Sequence, residues 1–237
     1  MGDAPLDMKI EDWKHIFKLD PAKIISDEHL DLICTSGTDA LVVGGTDNIT
    51  LSGVEDLLGR IKGKHPIPCV LEVSTMDSII PGFDGYFVPM VLNSRDKKWM
   101  MDVQHQGIKQ FQPLIKYVEI LFEGYCILNK DAKAFQHTNC VMPDEEDVLA
   151  YAYMAEHVFH LPVFYMEYSG KYGDKELVKR VKEELTDTKL FYGGGIETLE
   201  QAKEMKQYAD CIIVGNSIYT CFEQALETAK INEERTV

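Results

Sequence analysis

Short runs of β-branched and aromatic residues alternate along this chain with longer stretches whose apolar positions recur at helical spacing. Eight runs read as strands: His15–Leu19, Ala40–Val43, Cys69–Val73, Tyr86–Leu92, Phe122–Leu128, Val163–Tyr168, Leu190–Tyr192 and Cys211–Val214. The amphipathic stretches read as helices over Asp27–Cys34, Leu51–Lys62, Lys97–Phe111, Glu145–Phe159, Lys175–Leu185, Thr198–Tyr208 and Ser217–Ala229. Ser26 precedes Asp27 and Glu28, and Asp144 precedes two glutamates, the arrangement of helix caps. No Ser- or Pro-rich linker and no low-complexity tract divides the chain, so one domain is expected over residues 1–237, with 1–10 a loose N-terminal extension.

This alternation predicts an α/β fold, a single closed (β/α)₈ TIM barrel, ahead of an open doubly wound sheet. The length of 237 residues agrees with it, since such barrels run to ~250. One crossover departs from the pattern. Between Val73 and Tyr86 stands STMDSIIPGFDG, with Pro81 and Gly82 at its centre. A crossover usually takes at least about 10–12 residues, most of them helical. The third helix is therefore expected to be missing or reduced to a turn. Either an apolar groove opens in the barrel wall there, or the loop is merely short.

Charge narrows the function classes. With 24 basic and 39 acidic side chains the net charge is −15, which argues against nucleic acid, whose phosphates call for a basic surface. No apolar run reaches the ~18 residues of a membrane span, and the acidic start MGDAPLDMKIEDW lacks a signal peptide's basic and apolar regions. The six cysteines show no CxxC pair, and Cys69, Cys126 and Cys211 fall in apolar runs as small hydrophobes. A cytoplasmic protein without a transmembrane segment is expected.

In a barrel of this kind the chemistry lies at the C-terminal exits of the strands. The first exit, HIFKLDP, alternates so that Lys18 and Asp20 share a face. A lysine suits an anion and an aspartate a divalent cation; the plainer alternative is a surface ion pair before a proline. The second exit, VVGGTDN, offers close backbone approach at Gly44 and Gly45 and a hydroxyl at Thr46, although a tight turn explains the same letters. At the sixth exit, PVFYMEYSGKYGD, alternation places Tyr165, Glu167 and Ser169 on one face and Phe164, Met166 and Tyr168 on the other. A glutamate within an apolar strand is costly unless paired or functional, so Glu167 is a general-base candidate, with a lysine-paired structural role as the alternative. The seventh and eighth exits, LFYGGGIET and IIVGNSI, each end in glycine and run directly into a helix. Freed backbone N–H groups and helix N-termini bind anions, and barrels often hold phosphate at these two loops.

HIFKLDP, GGTD, EVS, PGFDGYF, VLNS, EGY, YMEYSG, FYGGGI and VVGN, in this order, resemble the geranylgeranylglyceryl phosphate synthase family. They are most similar to its bacterial branch, the heptaprenylglyceryl phosphate synthases, from about Trp13 to the last helix. The resemblance implies a prenyltransferase that joins the 3-hydroxyl of sn-glycerol 1-phosphate to C1 of a polyprenyl diphosphate, C35 in that branch, with release of diphosphate. By motif, Lys18, Tyr165, Met166, Glu167, Tyr168, Ser169, Gly170, Gly195, Gly215 and Asn216 would bind glycerol phosphate. Asp20 and Thr46 would bind Mg²⁺, and Glu167 would be the catalytic base. A homodimer and a defective third helix are also implied, and Ile79, Ile80 and Phe83 are candidates for the wall of a prenyl channel. Apart from the resemblance, two other functions fit a phosphate-holding barrel. One is a phosphosugar isomerase, epimerase or aldolase, with Asn129-Lys130-Asp131 at the fifth exit as a source of a reactive lysine. The other is a non-catalytic barrel that binds an isoprenoid or phosphometabolite.

Overall fold

A computed structural model describes residues 9–235, and the side chains to residue 233. Eight parallel strands close into a barrel in sequential order. They are β1 (His15–Leu19), β2 (Ala40–Val43), β3 (Cys69–Glu72), β4 (Gly85–Val91), β5 (Ile120–Ile127), β6 (Val163–Glu167), β7 (Lys189–Gly193) and β8 (Cys211–Val214). Closure is made by β1 on β8, His15 pairing with Ile212 and Phe17 with Val214. The TIM-barrel expectation holds.

Strand alternation divides the apolar side chains between two layers. One set, including Ile16, Val42, Val70, Phe87, Tyr125, Ile127, Tyr165, Phe191 and Ile213, fills the barrel interior. The other, including Phe17, Leu41, Leu71, Cys126, Phe164, Met166, Leu190 and Val214, packs outward against the helices. Helices α1 (Asp27–Cys34) and α2 (Leu51–Lys62) bury Leu30, Ile33, Val54, Leu57 and Ile61 there. Ser26 caps α1 by accepting from the His29 N–H. Asp144 and Asp147 form a reciprocal capping box at the start of α5 (Glu145–Tyr153).

The third crossover holds only a 3₁₀ turn, Met76–Ser78, because Pro81 removes a donor and Gly82 takes φ +113°. Three long helices of the sequence reading come out divided. Lys98–Asp102 is a π turn leading into α3 (Val103–Phe111), and α5 passes into a π turn at Met154–Val158. The last is broken at Cys221 (φ −147°, ψ 65°) into α8 (Ser217–Thr220), α9 (Phe222–Glu227) and a 3₁₀ stretch, Thr228–Arg235. No Gly or Pro marks that break. A short α4 (Lys133–His137) was not expected from its brief polar sequence. Between them lie α6 (Lys175–Glu184) and α7 (Leu199–Lys206). Of the expected loose extension, residues 1–8 lie outside the described residues. Ile10 is not loose: it is buried with Trp13 in the interior cluster.

Candidate active site

The strand exits surround a cavity of about 600 Å³ that extends sideways past β3 to β5 and along α3. Lys18, Asp20, Thr46, Tyr165, Glu167, Ser169, Gly170, Gly195, Gly215 and Asn216 all line it. Two residues carried over from the family resemblance do not. Met166 is fully buried in the outer layer, and Tyr168 packs there against Tyr192 at 5.7 Å between ring centroids. The cause is the period of two: in β6 a side chain on either side of Tyr165 or Glu167 faces the helices. Any contact those two residues make to a ligand is through the backbone.

Glu167 is 8% exposed at the end of β6. Its Oε2 accepts from the hydroxyls of Tyr165 at 2.8 Å and Tyr125 at 3.1 Å, and its Oε1 accepts from the Ser169 N–H. Among the described residues no lysine pairs with it. An ionised carboxylate has about four acceptor sites, so three donors leave one for a further partner. Ser169 has φ +45° and Gly170 φ +81°, a turn that brings the Ser169 N–H back on to the carboxylate. Asn129 fixes the same turn by donating to the carbonyls of Tyr168 and Ser169. A non-glycine residue at positive φ stores strain of the kind that collects at functional sites.

Lys18 is held by Glu72 of β3, its Nζ donating to both carboxylate oxygens at 2.6 and 2.8 Å. Burial draws the ammonium pKa down, but Glu72, Glu167 and Glu123 together hold it above its ordinary value. Glu72 and Glu123 were not singled out from sequence. The signal was present, since both are glutamates within apolar strands, CVLE and ILFEGYCI, the same anomaly that marked Glu167.

The seventh and eighth exits differ from expectation in one respect. Gly194 and Gly195, with φ +149° and +61°, form a loop before α7, where a reciprocal capping box has the Thr198 hydroxyl accept from the Gln201 N–H and the Gln201 side chain accept from the Glu197 and Thr198 N–H groups. At the eighth, α8 has only four residues. An anion there would meet loop N–H groups rather than a helix end. Asn216 accepts from Lys23 at 2.9 Å, which adds a second cation at this rim. Gly193 is required by close approach, because a Cβ would fall 2.2 Å from the Tyr165 hydroxyl. Gly193→Ala is therefore expected to lose about 1–3 kcal/mol by overpacking. In a Tyr165→Leu background, which removes the hydroxyl and also the ring carbons at 2.8 and 2.9 Å, the same substitution should cost much less in a cycle measured by denaturant unfolding; an undiminished cost would refute the clash.

For a divalent cation the candidates are Asp20 and Thr46. Asp20 is fixed by Tyr219, whose hydroxyl accepts from its N–H at 2.9 Å, and its Oδ1 accepts from the Ala22 N–H. A Cβ at Gly45 would lie 2.6 Å from Oδ1, so glycine there lets the backbone of the second exit pack directly against this carboxylate. The described residues include no cluster of three or more His, Cys, Asp or Glu that would cage a metal. One carboxylate and one hydroxyl fit Mg²⁺, which takes few protein ligands and completes its shell with water and substrate phosphates.

The lateral part of the cavity is apolar, with Val73, Met76, Ile79, Val103, Ile108, Phe111, Ile115 and Phe122 among its walls. Ile79 is placed as expected for a channel wall. Ile80 and Phe83 are not: Phe83 is buried in the outer core against Tyr86, and Ile80 does not reach the cavity. Lys130 is exposed and off the cavity, so it cannot serve as the reactive lysine of an aldolase-type site. No helix among the described residues is long and apolar enough to cross a membrane.

The PcrB family model matches residues 8–233. A heptaprenylglyceryl phosphate synthase of Oceanobacillus iheyensis is 69% identical over 221 residues, covering 93% of this chain and 96% of that protein. One from a Geobacillus species is 58% identical over 222 residues, covering 93% and 97%. Among solved structures, a (S)-3-O-geranylgeranylglyceryl phosphate synthase from Thermoplasma acidophilum, in complex with its substrate sn-glycerol-1-phosphate, superposes with a TM-score of 0.81 over 94% of both chains. Its identity is 24%, and that likeness is one of fold. With a family model spanning nearly its whole length and relatives of high identity end to end, the chain belongs to the PcrB family.

Proposed function

We propose that this protein is a prenyltransferase that joins heptaprenyl diphosphate to the 3-hydroxyl of sn-glycerol 1-phosphate. The observation that carries the reading is a single cavity with a three-donor carboxylate, glycine-rich exits and a lysine at one end and an apolar gallery at the other. The glycerol phosphate sits with its phosphate over Gly195, Gly215 and Asn216, within reach of Lys18. Its 3-hydroxyl approaches the open acceptor site of Glu167. The hydroxyl oxygen bonds to C1 of the prenyl chain, the C1–O bond to diphosphate breaks with its electron pair leaving on diphosphate, and the hydroxyl proton passes to Glu167. Anchoring one reactant by its phosphate makes the attack effectively intramolecular. Asp20 and Thr46 are the residues that would hold Mg²⁺, which neutralises charge on a diphosphate leaving group. The apolar gallery along α3 takes the prenyl tail out of water.

Incubation with radiolabelled glycerol 1-phosphate and heptaprenyl diphosphate, followed by organic extraction, tests the reading. An ether-linked lipid phosphate is expected, and no product with any prenyl chain length would overturn it. In the same assay Asp20→Ala is expected to raise the Mg²⁺ concentration needed for half-maximal rate; an unchanged requirement refutes the assignment of Asp20. On the family resemblance the enzyme acts in the cytoplasm as a homodimer, which light scattering after gel filtration checks.

A further inference from the structure

Glu123 has no part in the chemistry above, yet it lies within the barrel beneath it. On β5 it faces inward with Tyr125 and one layer deeper, because Gly124 and Cys126 face the helices. It is fully buried, and among the described residues neither carboxyl oxygen has a hydrogen-bond partner. The charged and titratable groups that face it are Lys18 of β1, Glu72 of β3, and Tyr165 and Glu167 of β6, with Tyr125 on its own strand; β4 presents Phe87 and Val91 to the interior and no charge. Three carboxylates thus share this interior with one lysine, and Glu72 and Glu167 already hold the available donors. An ionised carboxylate with no donor and no cation of its own is not tolerated in such a site.

We propose that Glu123 is a neutral carboxylic acid in the working protein and a positioning residue for Lys18. Neutral, it leaves Lys18 to Glu72 alone, with the third ammonium proton free for the substrate phosphate. Ionised, it draws Lys18 deeper into the barrel and adds a negative charge beneath a dianionic ligand. Its burial, and next the Glu72 carboxylate, push its pKa well above the ordinary value, with Lys18 opposing. Phosphate binding is then lost on the alkaline side, as Glu123 gives up its proton. One further charge several ångströms from the ligand, at an effective dielectric of about 20, weakens binding on the order of tenfold or more.

This inference rests on the proposed use of Lys18 for glycerol phosphate. The test is titration calorimetry of glycerol 1-phosphate against the whole protein from neutral to alkaline pH, with KM and kcat measured in parallel. In the parent, affinity falls with rising pH, on the order of tenfold or more, and KM rises while kcat holds. Glu123→Gln, which mimics the neutral acid, removes that limb. Glu123→Leu removes it too, and as a folding control its stability matches or exceeds the parent's, because it deletes an unpartnered buried acid. An alkaline limb unchanged in Glu123→Gln, or absent from the parent, overturns the inference alone. No binding by the parent at any pH overturns the proposed function with it.

Discussion

Glu167→Gln is expected to lower turnover by about 10²–10⁴-fold, the usual contribution of a positioned general base, while glycerol phosphate still binds. The variant is informative because the site can accommodate it. The oxygen of the substituted amide can accept from the Ser169 N–H, and its NH₂ group can face Tyr125 and Tyr165, whose hydroxyls rotate and accept as readily as they donate. What is lost is the negative charge and basicity that let the group take the hydroxyl proton, since an amide oxygen still accepts a hydrogen bond but does not accept the proton. Product formation in steady state, with calorimetric binding as the control, separates the two effects. Turnover equal to the parent's removes Glu167 from the chemistry; loss of binding together with turnover would make it an anchor instead.

The second large effect is expected at Lys18. Its removal leaves Glu72, whose side chain is 8% exposed, without its cation. Breaking a buried pair from one side typically costs about 3–5 kcal/mol. Lys18→Met should fall near the lower end, because the lysine itself is 16% exposed at the open mouth of the barrel. Lys18→Met/Glu72→Leu removes both charges and should recover most of that stability, since an apolar pair replaces the ion pair. It should not recover phosphate affinity. Denaturant unfolding and calorimetry on the two variants distinguish these roles, and a double variant that binds glycerol phosphate like the parent would show that Lys18 serves only the fold.

Much of the site was legible from local pattern because strand alternation acts residue by residue. HIFKLDP places Lys18 and Asp20 on one face, and the inward face of β6 is likewise fixed by the period of two. Where the family resemblance and alternation conflicted, at Met166 and Tyr168, alternation was the better guide to the side chains. Glu72 and Glu123 carried the same anomaly as Glu167, a carboxylate in an apolar strand. Their significance depends on neighbours contributed by β1 and β6, from 54 residues away for Glu72 and Lys18.

The sequence by itself determined the eight strands, their exits and the broken third crossover, because those rest on short-range steric rules: periodicity, proline and glycine. The tertiary structure alone decided which carboxylate takes which donor. Lys18 pairs with Glu72 rather than Glu167, Glu167 receives two tyrosine hydroxyls and the Ser169 N–H, and Glu123 receives none. Barrel closure brings these groups together from separate strands, and burial makes each pairing costly to leave unmade. Closure likewise decided that Ile79, and not Ile80 or Phe83, faces the apolar gallery, since the path of an irregular loop is set by the wall it packs against.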